Sequence, residues 1–585
     1  MKRTAAFCLL AALLILSLFA CGKKTDAASV SAATDPGQSD RATTEAVRTE
    51  PGTTVSLNAE APETTDAPQT ATVQTTATIQ QTAAPVTTDG WEEVADALAA
   101  TENRSILVAL DESETDGTGK RDPRLLKGPD EVDDATPAVE REIYSRNLTA
   151  CRRLGITVRY AYWDDPCGAQ ANRIKTLVDS GDASAPDLFV SPLTDLWNAA
   201  FDGCFADILS SSGSWLELGT NGWLSDYMTS LSLTRDRAYI LAGDAFPDLY
   251  RGAVVLPFNR SMADAEADRL LPCISPDGAL AAGETFSTRF FDFIEAGKWT
   301  YGALAALSEA IFTDIGEAAE RDDFDDLLGV ACDAASPTTA YAFLASSGAE
   351  SLAESTDAAT GRLRLAYLSD GGTLGQLFDA VSGLFSGTGT LATIGGATGE
   401  NGEYGTLDLR RKFVSGTMLF AGTVSLGSLC DDEYLKLTDD LSVAPLPKLR
   451  EGDRYVTPVL PDADAGAINR NTAAFSAVTA FLQFCTENSE TVRDGYLSVL
   501  TRACKTGNVP LLALICGAMV SGREAMIDAV VSGDGASAWS KLLATDGFRM
   551  TSADFAAEYA AAVAVKEERL NALLDLWYAC PKAAP

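Results

Sequence analysis

Between Thr136 and Phe205 the chain alternates helix-like and strand-like stretches, and this alternation constrains the fold more than any other feature. Thr136-Pro137 opens a helical stretch, with proline suited to a first turn. The stretch runs through Val139, Ile143, Cys151 and Leu154 and stops at Gly155. Ile156 to Trp163 is a β-branched and aromatic run, a strand, broken by Asp164-Asp165-Pro166. A helix covers about Gln170–Ser180, Asp187-Leu188-Phe189-Val190 reads as a short buried strand, and Thr194–Phe205 returns as helix. Strands alternating with helices imply a largely parallel sheet covered on both faces. Ligands on such sheets bind at the carboxyl ends of the strands. Those ends here carry Trp163, Asp164 and Asp165, and then Ser191 to Asp195.

The alternating body begins near Trp91, and all eight tryptophans lie in it. Its length, nearly 500 residues, allows two to four domains. Formal charge is −37, which argues against nucleic acid as a partner, because phosphates would be repelled. The acidic runs near Asp130–Glu142 and Arg321–Asp326 match no EF-hand spacing and read as solvated faces. The chain has no histidine, which excludes Ser–His–Asp and Cys–His catalysis and His-ligated zinc or iron. No phosphate-binding GxxxxGK[ST] loop is present, and Gly395–Gly405 reads as a plain loop. Beyond Cys8 and Cys21, ten cysteines are scattered with no CxxC pair, so metal spacing is missing and small buried hydrophobes are the default. No cofactor and no metal site is expected. Paired-carboxylate glycosidase chemistry needs only Asp and Glu, so composition leaves it open, with no local motif in its favour.

The first 24 residues define the compartment. Lys2 and Arg3 precede an apolar run from Ala5 to Phe19, about 15 residues against the roughly 20 of a membrane span. Leu18-Phe19-Ala20-Cys21-Gly22 resembles a bacterial lipoprotein signal, in which the cysteine is acylated and becomes the new N-terminus. Residues 1–20 would then be the signal peptide and Cys21 the lipid-bearing residue, placing the protein on the extracytoplasmic face of the membrane. Residues 21–90 are rich in Thr, Ala and Pro, and 25–90 lack aromatics, so a disordered stalk is expected there.

Stretches along the body then resemble, in order, the extracellular solute-binding proteins of family 1, the sugar-binding receptors of ABC importers. They are Glu142–Asn147 with Gly155–Val158, Ser180-Gly181-Asp182 with Ala185–Leu188, and Gly203 with Phe205–Ile208. Leu256-Pro257-Phe258-Asn259, Gly297-Lys298-Trp299-Thr300, Phe413–Phe420, and Val443–Lys448 with Arg454-Tyr455 follow. Pro337–Gly405 matches little and reads as an insertion in the second lobe. The resemblance implies two α/β lobes of periplasmic-binding-protein type, joined by hinge crossovers and closing on a ligand. Crossings are expected near Leu256–Asn259, Thr457–Asp464 and after about Val509. That gives residues 91–255 as the first part of lobe 1, 256–458 as the first part of lobe 2, and 459–585 as returning segments completing both.

The implied function is capture of a carbohydrate, with an oligosaccharide favoured, by a lipid-anchored monomer that delivers it to ABC permease subunits. The rival readings are a surface glycosidase, or an adhesin or sensor that kept the binding fold. Sugar recognition needs flat apolar faces and polar groups for hydroxyls. Trp163, Trp197 and Trp299 lie beside polar loop residues, with core the favoured reading for Trp197 and Trp299. Asp164, Asp165, Asp195 and Asn259 are the polar candidates.

Overall fold

The computed structural model describes residues 90–579 except 112–125, 127–130, 316–325, 394–405, 533–536 and the single positions 183, 210, 211, 235, 277, 506 and 508. Cys21, the stalk, the Gly395–Gly405 loop and most of the second acidic run lie outside these residues.

The strands of the alternation read from the sequence lie in one five-stranded sheet, and a six-stranded sheet forms from residues 254–444. The helix Ala138–Leu154 ends at Gly155, whose φ of 61° is the left-handed turn that lets the chain reverse without a Cβ clash. The chain then enters the strand Thr157–Trp163, which lies parallel to Ser105–Asp111. Leu188–Pro192 lies parallel on the other side, so the three strands point their carboxyl ends the same way. Asp464–Ile468 returns from far along the chain to pair antiparallel with Leu188–Pro192, and Ile240–Leu241 closes that edge. The helices Phe475–Glu487 and Glu490–Leu500 lie against Ala138–Leu154 and complete this first lobe.

The second sheet has the order Val424–Ser425, Val254–Asn259, Met418–Ala421, Leu328–Asp333, Thr390–Thr393, with Leu441–Ala444 also paired to Val254–Asn259. The last three strands of that order are mutually parallel, and Val254–Asn259 runs against them. Its core is aromatic: Phe258, Phe290, Trp299 and Phe420 meet at centroid distances of 5.0 to 5.8 Å. The helix Tyr301–Ile311 comes very close to this sheet at Ser308. A Cβ on Gly329 would stand 2.1 Å from the Ser308 Cα, and one on Gly389 1.8 Å from its carbonyl oxygen. Only glycine permits that approach.

Three segments cross between the lobes side by side. The chain enters the second sheet at Val254, returns through Thr457–Pro458 to Asp464, and passes again at Met519–Val520. Thr457–Pro458 and Met519–Val520 lie side by side in parallel, and Ala253 bridges Val459, so the crossings form one narrow hinge. The poorly matching region supplies the helices Pro337–Ser346 and Leu374–Phe385 and the hairpin of Leu352–Thr356 with Leu363–Tyr367. The C-terminal helices Arg523–Ser532, Ala538–Ala544 and Ser552–Ala579 lie against them. The nine described cysteines are unpaired with one another. No described helix is long and apolar enough to cross a membrane.

Candidate ligand site

A cavity of about 220 Å³ opens at the carboxyl ends of Leu328–Asp333 and Met418–Ala421 in the second lobe. Its wall is built by chain direction. Parallel strands end together, and the turns that follow them present backbone and short polar side chains. Asp333 ends one strand and accepts a hydrogen bond from the Ala335 backbone N–H at 2.9 Å, which starts the turn into the helix Pro337–Ser346. Gly422 to Ser425 follows the other strand. The Thr423 hydroxyl oxygen is buried and has no hydrogen-bond partner within the protein. Arg410 is ion-paired with Asp431, and its guanidinium lies 5.5 Å from the centre of the Tyr434 ring. Burial pushes the Tyr434 phenol and the Cys332 thiol well above their ordinary ranges, so both stay protonated at neutral pH. Leu460, from the second crossover, completes the lining.

That crossover also touches the first lobe. Leu193 and Thr194 donate backbone N–H groups to the carbonyls of Ala463 and Pro461 at 3.0 Å. Arg251 fixes the segment from the first crossing. Its guanidinium makes two 2.9 Å bonds to the Asp248 carboxylate and donates to the Asp462 carbonyl at 3.1 Å. Asp462 therefore stands between the lobes, with one carboxylate oxygen 3.4 Å from Arg251 and the other buried without a partner.

The residues singled out in the sequence fall into two groups. Trp163, Asp164, Asp165 and Asp195 all sit at the carboxyl ends of the first-lobe strands. Asp164 is exposed, and Asp165 is ion-paired with Arg173. Trp163 is 2% exposed, with Phe189 at 5.8 Å and the Arg173 guanidinium 4.3 Å from its ring centre. Asp195 is buried and accepts from the backbone N–H groups of Gly168 and Ala171 at 2.7 and 2.9 Å. It thereby ties the loop after Trp163 to the first turn of the helix Gln170–Ser180. Desolvation raises its pKa, opposed by those backbone bonds. Trp197 is 3% exposed and lies 5.5 Å from Phe201.

Asn259 and Trp299 lie within the second lobe. Asn259 caps the helix Arg260–Ala265, accepting from Met262 N–H and donating to Asp439, both at 2.9 Å. Trp299 donates its indole N–H to the Pro445 carbonyl at 2.8 Å. None of the three indoles presents a face to solvent in this conformation. The second-lobe cavity residues escaped the sequence reading because they come from separate strand ends, a helix and the second crossover, which only the folded chain brings together. A local cue does exist: an apolar run ending in Asp333, followed by Ser336-Pro337 at a helix start. Among the described residues no cluster of three or more His, Cys, Asp or Glu is arranged to hold a metal ion.

No family model and no curated protein matches the chain. Solved structures resemble it weakly. A cyclo/maltodextrin-binding protein complexed with maltotetraose is 13% identical, covers 82% of this chain and 98% of its own, and gives a TM-score of 0.45. An ABC substrate-binding protein of Listeria monocytogenes in complex with cycloalternan is 11% identical over 81% of this chain and 100% of its own, with a TM-score of 0.43. The galacto-N-biose/lacto-N-biose I-binding protein of Bifidobacterium longum, in complex with lacto-N-biose, is 13% identical over 80% and 97%, with a TM-score of 0.42. At these scores the strand order described above, and not the likeness, defines the fold.

Proposed function

We propose that the protein is an extracytoplasmic receptor that captures a carbohydrate by closing two lobes around it and delivers it to an ABC permease. The observation that carries this reading is the cavity at the strand ends of the second lobe, beside a crossover that is also bonded to the first. A hydroxyl-rich ligand needs donors and acceptors together with some apolar wall. The Asp333 carboxylate, the Thr423 hydroxyl and Arg410 supply the first, and Leu409 and Leu460 the second. The volume is below the roughly 300–1,000 Å³ of a drug-sized site, so one sugar ring would seat here and further rings would extend toward the first lobe. There Asp164 and Asp165 are the polar groups we assign to it, with the Trp163 ring behind them. Acylated Cys21 and the Thr/Pro-rich stalk would hold the receptor near its permease.

The test is a thermal-shift screen of the mature protein against mono- and oligosaccharides, amino acids and peptides. A ligand at 100 times its Kd stabilises the native state by about 2.7 kcal/mol. A sugar should raise the melting temperature, and Asp333→Asn with Thr423→Val should abolish the shift. A shift with amino acids or peptides and none with any sugar would defeat the carbohydrate reading.

A further inference from the structure

The helix Ser552–Ala579 has 28 residues, about 42 Å at 1.5 Å per residue, enough to reach both lobes. Its first turns belong to the second lobe. Phe555 lies 4.6 Å from Phe378, Ser552 N–H donates to Asp379 at 2.8 Å, and the Tyr559 hydroxyl bonds the Leu368 carbonyl. Its last turn is seated in the first lobe. Trp577 is 1% exposed, with Tyr239 and Phe201 at centroid distances of 4.9 and 5.4 Å. Its indole N–H donates to the Thr234 hydroxyl at 2.9 Å, and Arg237 donates to its carbonyl at 3.1 Å. Nearby, Arg523 donates to the Leu233 carbonyl at 2.9 Å. The helix thus joins the lobes without passing through the three-segment hinge.

We propose that this helix is a brace that resists hinge closure, with the Trp577 socket as its releasable end. A helix is stiff along its axis, and a packed socket is either filled or broken rather than stretched. If the lobes rotate about the crossings while Phe555 and Tyr559 move with the second lobe, Trp577 must leave Tyr239 and Thr234. The brace therefore shifts the free protein toward the conformation described here, and any closing ligand works against it. The proposal goes beyond the receptor reading, and its test needs no ligand, so the two can fail separately.

The experiment is pulsed spin-label distance measurement on the free, full chain. Labels go on non-cysteine handles at two exposed positions, Ala169 in the loop after Trp163 in the first lobe and Lys436 in the second, two residues after Tyr434 of the cavity wall. The parent should give one narrow distance distribution. Trp577→Ala should add a second population at shorter distance. Thr234→Val, which removes only the hydroxyl that the indole contacts, should add the same population to a smaller extent, and it decides the question if Trp577→Ala does not fold. A distribution unchanged in the folded variants, or one that only lengthens, would overturn the brace. Lower stability alone would not move a folded distance distribution.

Discussion

At the residue scale, Trp163 shows how a strand-end position and burial pull in opposite directions. Its place at the carboxyl end of Thr157–Trp163 suits a ligand contact, yet Phe189 and Arg173 cover the ring and leave it 2% exposed. Truncating a buried tryptophan costs about 3–5 kcal/mol of stability through lost burial and the cavity left behind. We therefore expect Trp163→Ala to lower the unfolding midpoint strongly and to weaken sugar binding by less than about fivefold, or about 1 kcal/mol. Denaturant titration and calorimetric affinity on the same variant separate the two effects. Retained stability with an affinity loss of about 1–3 kcal/mol would give the indole the ligand role instead. Asp195 makes a related point. A lone aspartate after a strand reads as a cleft candidate, but only the folded chain shows Gly168 and Ala171 turning their N–H groups onto it.

At the element scale, the first of the C-terminal helices carries a buried carboxylate that ties two elements together. Glu524, in the helix Arg523–Ser532, accepts from the Ser351 backbone N–H at 2.7 Å, from the Ser351 hydroxyl and from the Leu352 N–H at 3.3 Å. It thereby clasps the start of the hairpin. Burial pushes its pKa up to about 7, against the lowering effect of the Ser351 bonds and of Arg523, which is itself paired with Glu354. Tyr367 from the hairpin and Tyr559 from the terminal helix also lie within its electrostatic reach. A raised folded pKa means the folded state holds the proton more tightly than the unfolded chain does. The contribution is fully present below the unfolded value near 4.5 and is lost as pH rises through about 7. At about 1.4 kcal/mol per pKa unit, it amounts to about 3 kcal/mol. Melting curves from pH 4.5 to 8 should show that loss, and Glu524→Gln should flatten it. An equally steep profile in the variant would assign the dependence elsewhere.

This clasp was invisible in the sequence, where Glu524 is one charge on an ordinary helix. The first-lobe elements between Thr136 and Pro192 were legible because each carries its own punctuation, whereas the central strand Ser105–Asp111 was not read. Gly155 stops a helix, and Asp164-Asp165-Pro166 breaks a strand. The helix Gln170–Ser180 falls where its apolar spacing puts it, whereas the next runs Leu193–Phe201 and stops short of Phe205, which bridges Asn469 instead. The second-lobe cavity depends on strands Leu328–Asp333 and Met418–Ala421 becoming neighbours across some 85 residues, and no local pattern encodes that pairing.

At the scale of the whole molecule, function depends on whether the three crossings act as one hinge. Thr457–Pro458 beside Met519–Val520, with Ala253 against Val459, concentrates the joints in a small volume, so a modest rotation there would move the strand ends far. A ligand can drive that rotation only by binding the closed form better than the open one, and moving the population from 1:99 to 99:1 takes about 5.5 kcal/mol of that preference. Any bracing by Ser552–Ala579 adds to what the ligand must supply. Small-angle scattering on one sample with and without saturating sugar isolates the motion, since residues 21–90 contribute equally to both curves. We expect the radius of gyration to fall on binding. Weakened brace variants should reach the compact form at lower sugar concentration. Tight binding with an unchanged scattering curve would mean that the ligand is held by the second lobe alone, and the cavity at Asp333 and Thr423 would then be the whole site.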